Sequence, residues 1–271
     1  MSDSDDYHLG TSDEELARLG YQHQVWQDVT AMLWRMAGFG PGQTLLDLGA
    51  GPGFVSLELA RLVGPQGHVH AVEAAGKFVG HLNARLEAEG SNNVTVHQHD
   101  VQQLPLADCS ADGAFARWLL CFVKNPQKVC DEVARTLRPG GVFVAWDYFN
   151  YNSVGMFPVR EPLSRLFAAY HKSALVNGGS YDIAQALPGM LINAGFEITH
   201  LEPISKIGRP GSNVWSWVSQ FTAGYAPKLV EAGLMSEAEA EELQTAWTEA
   251  EADPSTFFFP PPMLGIVAHK R

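Results

Sequence analysis

The sequence predicts a doubly wound α/β domain, and three observations carry that prediction. Short apolar runs alternate with helical periodicities from residue 44 to residue 149. The turn after the first run is glycine-rich, "LLDLGAGPGF" at 45–54. Three acids, Asp47, Glu73 and Asp100, fall at three consecutive strand ends. Strands alternating with helices at this spacing require βαβ crossovers, hence a parallel sheet with helices on both faces. A chain of 271 residues is long enough for one large domain, or one domain with an insertion.

The elements follow in order. Asp13 to Ala37 is predicted helical, because Leu16, Leu19, Trp26, Leu33 and Ala37 recur at helical spacing and Ser12 with Glu15 forms a capping box. "TLLDL" is the first strand, "FVSLELARLV" the helix after the glycine loop, and "HVHAVE" the second strand. "KFVGHLNARLEAEG" is a helix closing at Gly90, "NVTVHQHD" the third strand and "DGAFARW" the fourth. Asn125 caps the next helix with Pro126 at its first position, and "VFVAWDYF" is the fifth strand. Helices are then expected around "LSRLFAAYHKSALV" and "DIAQALPGMLINAGF", followed by strand "EITHLEPISKI". Residues 208–253 interrupt the sheet with aromatic and then acidic helical stretches, where Ser236 and Glu239 form a second capping box. "PMLGIVAHKR" returns as a final edge strand, since its Pro is confined to the start.

Composition narrows the function. Of the acids behind the net charge of −12, six lie in residues 1–15 and eight in 231–253, segments with no Lys or Arg. The remainder is nearly neutral and offers no basic stripe for neutralising phosphates, which disfavours a nucleic-acid partner. No run of about 18 apolar residues is present to span a membrane, and the acidic N-terminus is unlike a secretory signal, so a cytoplasmic location is expected. Cys109, Cys121 and Cys130 are too widely spaced for a metal or redox pair. "HVH" and "HQH" are expected to be strand-face residues, and no carboxylate cluster points to a metal.

Gly49, Gly51 and Gly53 occupy the first strand-to-helix turn, where backbone without side chains admits close approach of a ligand. Glu73 stands where an acid accepts hydrogen bonds from both hydroxyls of a ribose, and Asp100 where one accepts from the amine of adenine. Together the three acids outline an adenosine site. The loop G-A-G-P-G-F displaces the third glycine of the dinucleotide fingerprint, and no GxxxxGK[ST] motif occurs. An Asp inside the first strand suits a cationic ligand amine better than a pyrophosphate.

D-L-G-A-G-P-G, Glu73, "HDVQQLPL", "DGAFARWLLCFVKNP" and "VARTLRPGGVFV" resemble the ordered motifs of class I S-adenosylmethionine-dependent methyltransferases over about residues 44 to 147. "LPGMLINAGFE" and "MLGIVAHKR" are similar to the small-molecule branch of that family. The resemblance implies a Rossmann-like, seven-stranded, mostly parallel sheet with N-terminal helices and a helical insertion before the last strand. It divides the chain into an N-terminal helical cap (1–40), a cofactor-binding core (41–207), an insertion or lid (208–253) and a terminal edge strand (254–271). The implied cofactor is S-adenosylmethionine, leaving as S-adenosylhomocysteine.

Residue by residue, the resemblance implies that Gly49, Ala50 and Gly51 run along the methionine moiety with Gly53 in the same loop, and that Asp47 lies near the methionine amine. Glu73 would hold the ribose; Asp100 and the Val101 amide would read adenine, with Ala74 and Phe78 on its ring. The Arg117 carbonyl would approach the amine, and Tyr21 and Trp26 would close over the cofactor. "ARWL" stands where the DNA-adenine and glutamine-amide methylating branches carry [ND]PP[YF], which lowers the expectation of those acceptors.

A sulfonium methyl is already electrophilic, so holding a nucleophile in line is the main task and a general base is optional. His171, Asp147 and Tyr148 are the candidates for one. The acceptor pocket is expected between "WDYFNYNSVGMF" and "VWSWVSQFTAGY", which favour an apolar or ring-containing metabolite. Two other functions compete: a cofactor-binding module without transfer, and a nicotinamide oxidoreductase. The oligomeric state is left open, a homodimer included.

Overall fold

The computed structural model describes residues 12–176 and 179–271, so residues 1–11 of the expected N-terminal cap lie outside the described residues. Helix α1 (Asp13–Met36) starts where Ser12 Oγ accepts the Glu15 N–H, and three acids in its first turn complement the helix dipole. The expected capping box is only half formed, because the Glu15 carboxylate turns to grip Arg18 at 2.7 and 2.8 Å. Ser236 and Glu239 form the complete box.

Strands β1 (Thr44–Leu48), β2 (His68–Glu73), β3 (Val94–Gln98), β4 (Ala111–Arg117) and β5 (Leu137–Tyr148) are separated by α2 (Phe54–Val63), α3 (Gly76–Glu89) and α4 (Pro126–Thr136). After β5 come β6 (Gly155–Phe157), α5 (Glu161–Val176), α6 (Leu187–Asn193) and β7 (Phe196–Ile204). The chain ends with α7 (Asn213–Glu231), α8 (Glu237–Ala252), β8 (Phe257–Phe259) and β9 (Met263–Lys270). Seven strands form one sheet in the order β3-β2-β1-β4-β5-β9-β7, all parallel except β9. This is the predicted Rossmann-like α/β fold.

The last strand corrects the sequence reading. β9 is not an edge strand: it lies between β5 and β7, antiparallel to both. Its residues Gly265, Ile266, Val267 and Ala268 are buried in succession, the pattern of a strand covered on both faces. The edge on that side belongs to β7, whose Glu197, Thr199 and His200 are exposed. Two other differences are local. β5 begins at Leu137, earlier than the apolar run suggests, and β6 pairs with β8 as a separate two-stranded ribbon.

The insertion helix α7 lies against α1, and the two roof the carboxyl ends of the central strands. Trp26, Trp118, Trp146 and Trp217 meet there, with Trp26 edge-on to each of the other three. No described helix is long and apolar enough to cross a membrane.

Candidate active site

The strand order reverses between β1 and β4, and a cavity of about 780 Å³ opens over this point, running from the end of β3 to the end of β5. Its size falls within the range of about 300–1,000 Å³ usual for small-molecule sites. One end is made by the glycine loop. Gly49 and Ala50 both donate to Val72 O, at 2.9 and 3.1 Å, which ties the loop to β2. Gly51, at φ 54°, has open space where a side chain would stand, and its N–H points to Glu73.

Both oxygens of Glu73 are held, Oε2 by the Gly51 N–H and Oε1 by the Ala75 N–H, each at 2.8 Å. Burial raises its pKa against these bonds. Each oxygen keeps a further lone pair, so a fixed carboxylate faces the cavity with capacity for two more donors.

Asp47 is buried in β1, where Ser56 donates to its Oδ2 at 2.5 Å. Its Oδ1 has no hydrogen-bond partner among the described residues and belongs to the cavity wall. Burial pushes its pKa up to about 7, against the Ser56 bond and the Arg117 charge. A buried carboxylate with one open oxygen invites a cationic donor.

Arg117 ends β4, and its guanidinium donates to Thr30 Oγ1 at 2.9 Å and contacts His23 Nδ1 at 3.3 Å. His23 Nε2 in turn meets Glu58 at 3.2 Å. Two carboxylates, Asp47 and Glu58, thus balance the buried cation. Asp100 lies at the cavity mouth, its Oδ1 accepting the Gln102 N–H at 2.8 Å, beside buried Val101; Ala74 and Phe78 line the same end.

The other end is aromatic. Tyr148 and Tyr151 from the stretch after β5, with Trp217 and Phe221 from α7, line it, so the two segments expected around an acceptor do meet in one cavity. Trp118 lies nearly parallel to Tyr148 and to Trp217, with ring centroids 6.3 and 6.4 Å apart.

Of the residues expected at the site, the cavity brings together Asp47, Gly49, Ala50, Gly51, Glu73, Ala74, Phe78, Asp100, Val101, Arg117 and Tyr148. Five others stand elsewhere. Gly53, at φ 87°, serves packing, since a Cβ there would come within 2.1 Å of Leu82 Cδ1. Trp26 is fully buried among tryptophans, and Tyr21 lies behind the lining with its hydroxyl 3.4 Å from Asn213. Asp147 accepts the N–H groups of Cys121 and Tyr148, at 3.1 and 2.9 Å, and so anchors the turn after β4 to β5. Burial raises its pKa to about 6. His171 stacks on the outer side of Tyr151 and pairs with Asp182 at 3.5 Å.

Arg18, Leu19 and Gln22 take the place expected of Tyr21 and Trp26. The helix was correctly predicted and the exposed face was not. Its signal is the i, i+4 pair Arg18 and Gln22 beside the apolar stripe, meaningful only once α7 is known to cover that side.

Fold and cleft together define a doubly wound α/β protein with a glycine loop and three carboxylates lining one end of a cavity and aromatic side chains the other. Residues 46–145 match the family described as Methyltransferase domain. The chain is 32% identical over 173 residues to an uncharacterized 37.1 kDa protein in transposon TN4556 of Streptomyces fradiae, covering 62% of this chain and 48% of that protein. It is 28% identical over 196 residues to the ubiquinone/menaquinone biosynthesis C-methyltransferase UbiE of Vibrio parahaemolyticus, covering 65% of this chain and 72% of that one. A crystal structure of a SAM-dependent methyltransferase from Aquifex aeolicus shares the fold at a TM-score of 0.50 and 21% identity, over 63% of this chain and 81% of that one. The chain thus spans about half the length of the first of these relatives. Residues 46–145 are thus similar to the methyltransferase-domain family, and the surrounding chain shares its fold with a methyltransferase of known structure.

Proposed function

We propose that this protein transfers a methyl group from S-adenosylmethionine to a small metabolite with an apolar, ring-bearing body. The observation that carries the reading is the pairing of two differently prepared carboxylates in one cavity. Asp47 keeps an open oxygen suited to an ammonium, and Glu73 is fixed by two backbone N–H groups in a posture suited to paired hydroxyls. That donor and acceptor set fits the amino-acid and ribose parts of the cofactor, with Asp100, Val101, Ala74 and Phe78 available for its base.

When bound, S-adenosylmethionine supplies an electrophilic methyl on a sulfonium sulfur. The chain's own residues then have three tasks: to hold the donor at the glycine loop, to hold the acceptor in line, and to exclude water. Trp118, Tyr148, Trp217 and Phe221 supply the apolar walls for the last two. At the aromatic end no histidine or carboxylate among the described residues lines the cavity.

Calorimetric titration with S-adenosylhomocysteine tests the site. The intact protein should bind, and Glu73→Ala should weaken binding about a hundredfold, since each hydrogen bond to a charged group contributes roughly 1.5–3 kcal/mol. No binding by folded wild-type protein would overturn the reading.

A further inference from the structure

We propose that the Arg117 guanidinium binds the carboxylate at the amino-acid end of the methyl donor, so that Asp47 and Arg117 form one zwitterion site that disfavours adenosine ligands without that carboxylate. The proposal rests on the methyl-transfer reading above and gives the Arg117 side chain a role distinct from that of its backbone carbonyl.

Arg117 retains accessible surface and lines the cavity. Of its five N–H donors, Nη1 gives one to Thr30 Oγ1 at 2.9 Å and Nη2 one to His23 Nδ1 at 3.3 Å. His23 accepts there because its other nitrogen, Nε2, faces Glu58 at 3.2 Å. The remaining three donors, Nε–H included, have no partner among the described residues. No described carboxylate oxygen lies within 4.0 Å of the guanidinium, so Asp47 and Glu58 act on it only across a longer gap. Burial pulls its pKa down to about 10, against these two acids, and the group stays charged at neutral pH. A recessed cation held by a hydroxyl and an imidazole, with three donors left over, is incomplete without an anion.

Its neighbour decides which anion. β1 and β4 pair with Asp47 beside Phe115, so Arg117 stands two residues further along on the same face, at the end of the strand. Among the described residues the Arg and Lys side chains lining the cavity are Arg18, Arg117 and Lys124, and of these only Arg117 acts on the Asp47 charge. The open Asp47 oxygen suits an ammonium, and an α-amino acid carries its carboxylate on the same carbon. An acid and a base that adjoin without bonding to each other therefore match the two charges of one amino-acid group. A phosphate would answer Arg117 but meet repulsion from Asp47.

S-adenosylhomocysteine and its decarboxylated counterpart, titrated calorimetrically into the protein at pH 8, test the assignment. Both ligands carry the ammonium, so effects on Asp47 cancel in the ratio of their affinities. The wild type should prefer S-adenosylhomocysteine at least about tenfold, as expected for hydrogen bonds between charged groups. Arg117→Met should bring the ratio to near one while the decarboxylated ligand still binds. If circular dichroism shows that variant unfolded, Arg117→Gln, which keeps a donor for Thr30, is read in its place with the same expectation. A wild-type ratio near one, a ratio that survives the substitution, or loss of both ligands by a folded variant would overturn the proposal and leave the methyl-transfer reading standing. Failure of the wild type to bind S-adenosylhomocysteine would overturn both readings.

Discussion

Asp47 sets a proton linkage that is measurable in the intact protein. With its pKa near 7, about half the side chain is ionised at pH 7, about a tenth at pH 6 and about a hundredth at pH 5. A ligand ammonium needs the carboxylate. The affinity for S-adenosylhomocysteine should therefore fall about fivefold between pH 7 and pH 6 and about fiftyfold by pH 5, or roughly 2.3 kcal/mol. Glu73, also raised by burial, acts in the same direction. Binding should release about 0.9 proton per ligand at pH 6, read from the enthalpy in two buffers of different ionisation heat. Asp47→Asn should bind more weakly at pH 7 and lose most of the pH dependence. In the free protein the same group works oppositely: the folded state holds the proton between pH 3.8 and about 7, so the Asp47 contribution to stability falls as pH rises through that window. An affinity constant from pH 5 to 7, or binding at pH 6 without proton release, would refute the reasoning.

Other consequences follow from single residues. Gly53→Ala places a methyl against Leu82 at positive φ and should cost about 3 kcal/mol in chemical denaturation, combining backbone strain with overpacking. His70, half-buried with its Nδ1 3.1 Å from His97 Nε2, has its pKa pushed down to about 4, by burial first and then by His68 and His97. The unfolded chain therefore takes up the proton first as pH falls below 6.5. After discounting for solvent screening, the wild type should lose about 1 kcal/mol more than His70→Gln between pH 7 and pH 5, measured by denaturant unfolding. Trp26→Ala should cost about 4 kcal/mol, whereas Trp26→Phe should cost far less, because the indole N–H has no partner to lose.

The gathering of the glycine loop and the three acids at one end of a cavity was legible in the sequence because these parts are local. A glycine loop, an acid closing β2 and another just past β3 each sit at a strand end, and a parallel sheet brings consecutive strand ends to one side. The aromatic segments were legible as candidates for the same reason, since both flank strand ends or interrupt the sheet. Tyr21 and Trp26 were misplaced because periodicity identifies a helix's apolar stripe without saying what covers it. His171 and Asp147 were misread because the chemical capacity of a residue says nothing about its direction: one pairs outward with Asp182, the other holds a turn.

The sequence by itself determined the alternation of strands and helices, the class of sheet, the glycine loop and the three carboxylates around it. Backbone geometry and short-range periodicity encode all of these. Only the tertiary structure decided that β9 fills the interior of the sheet, that α7 closes over α1, and that Arg18, Gln22, Tyr148 and Tyr151 share one chamber. Gln22 and Trp217 are 195 residues apart and joined by one hydrogen bond. Such pairings depend on how two amphipathic faces bury each other, and that is settled by packing over the whole chain.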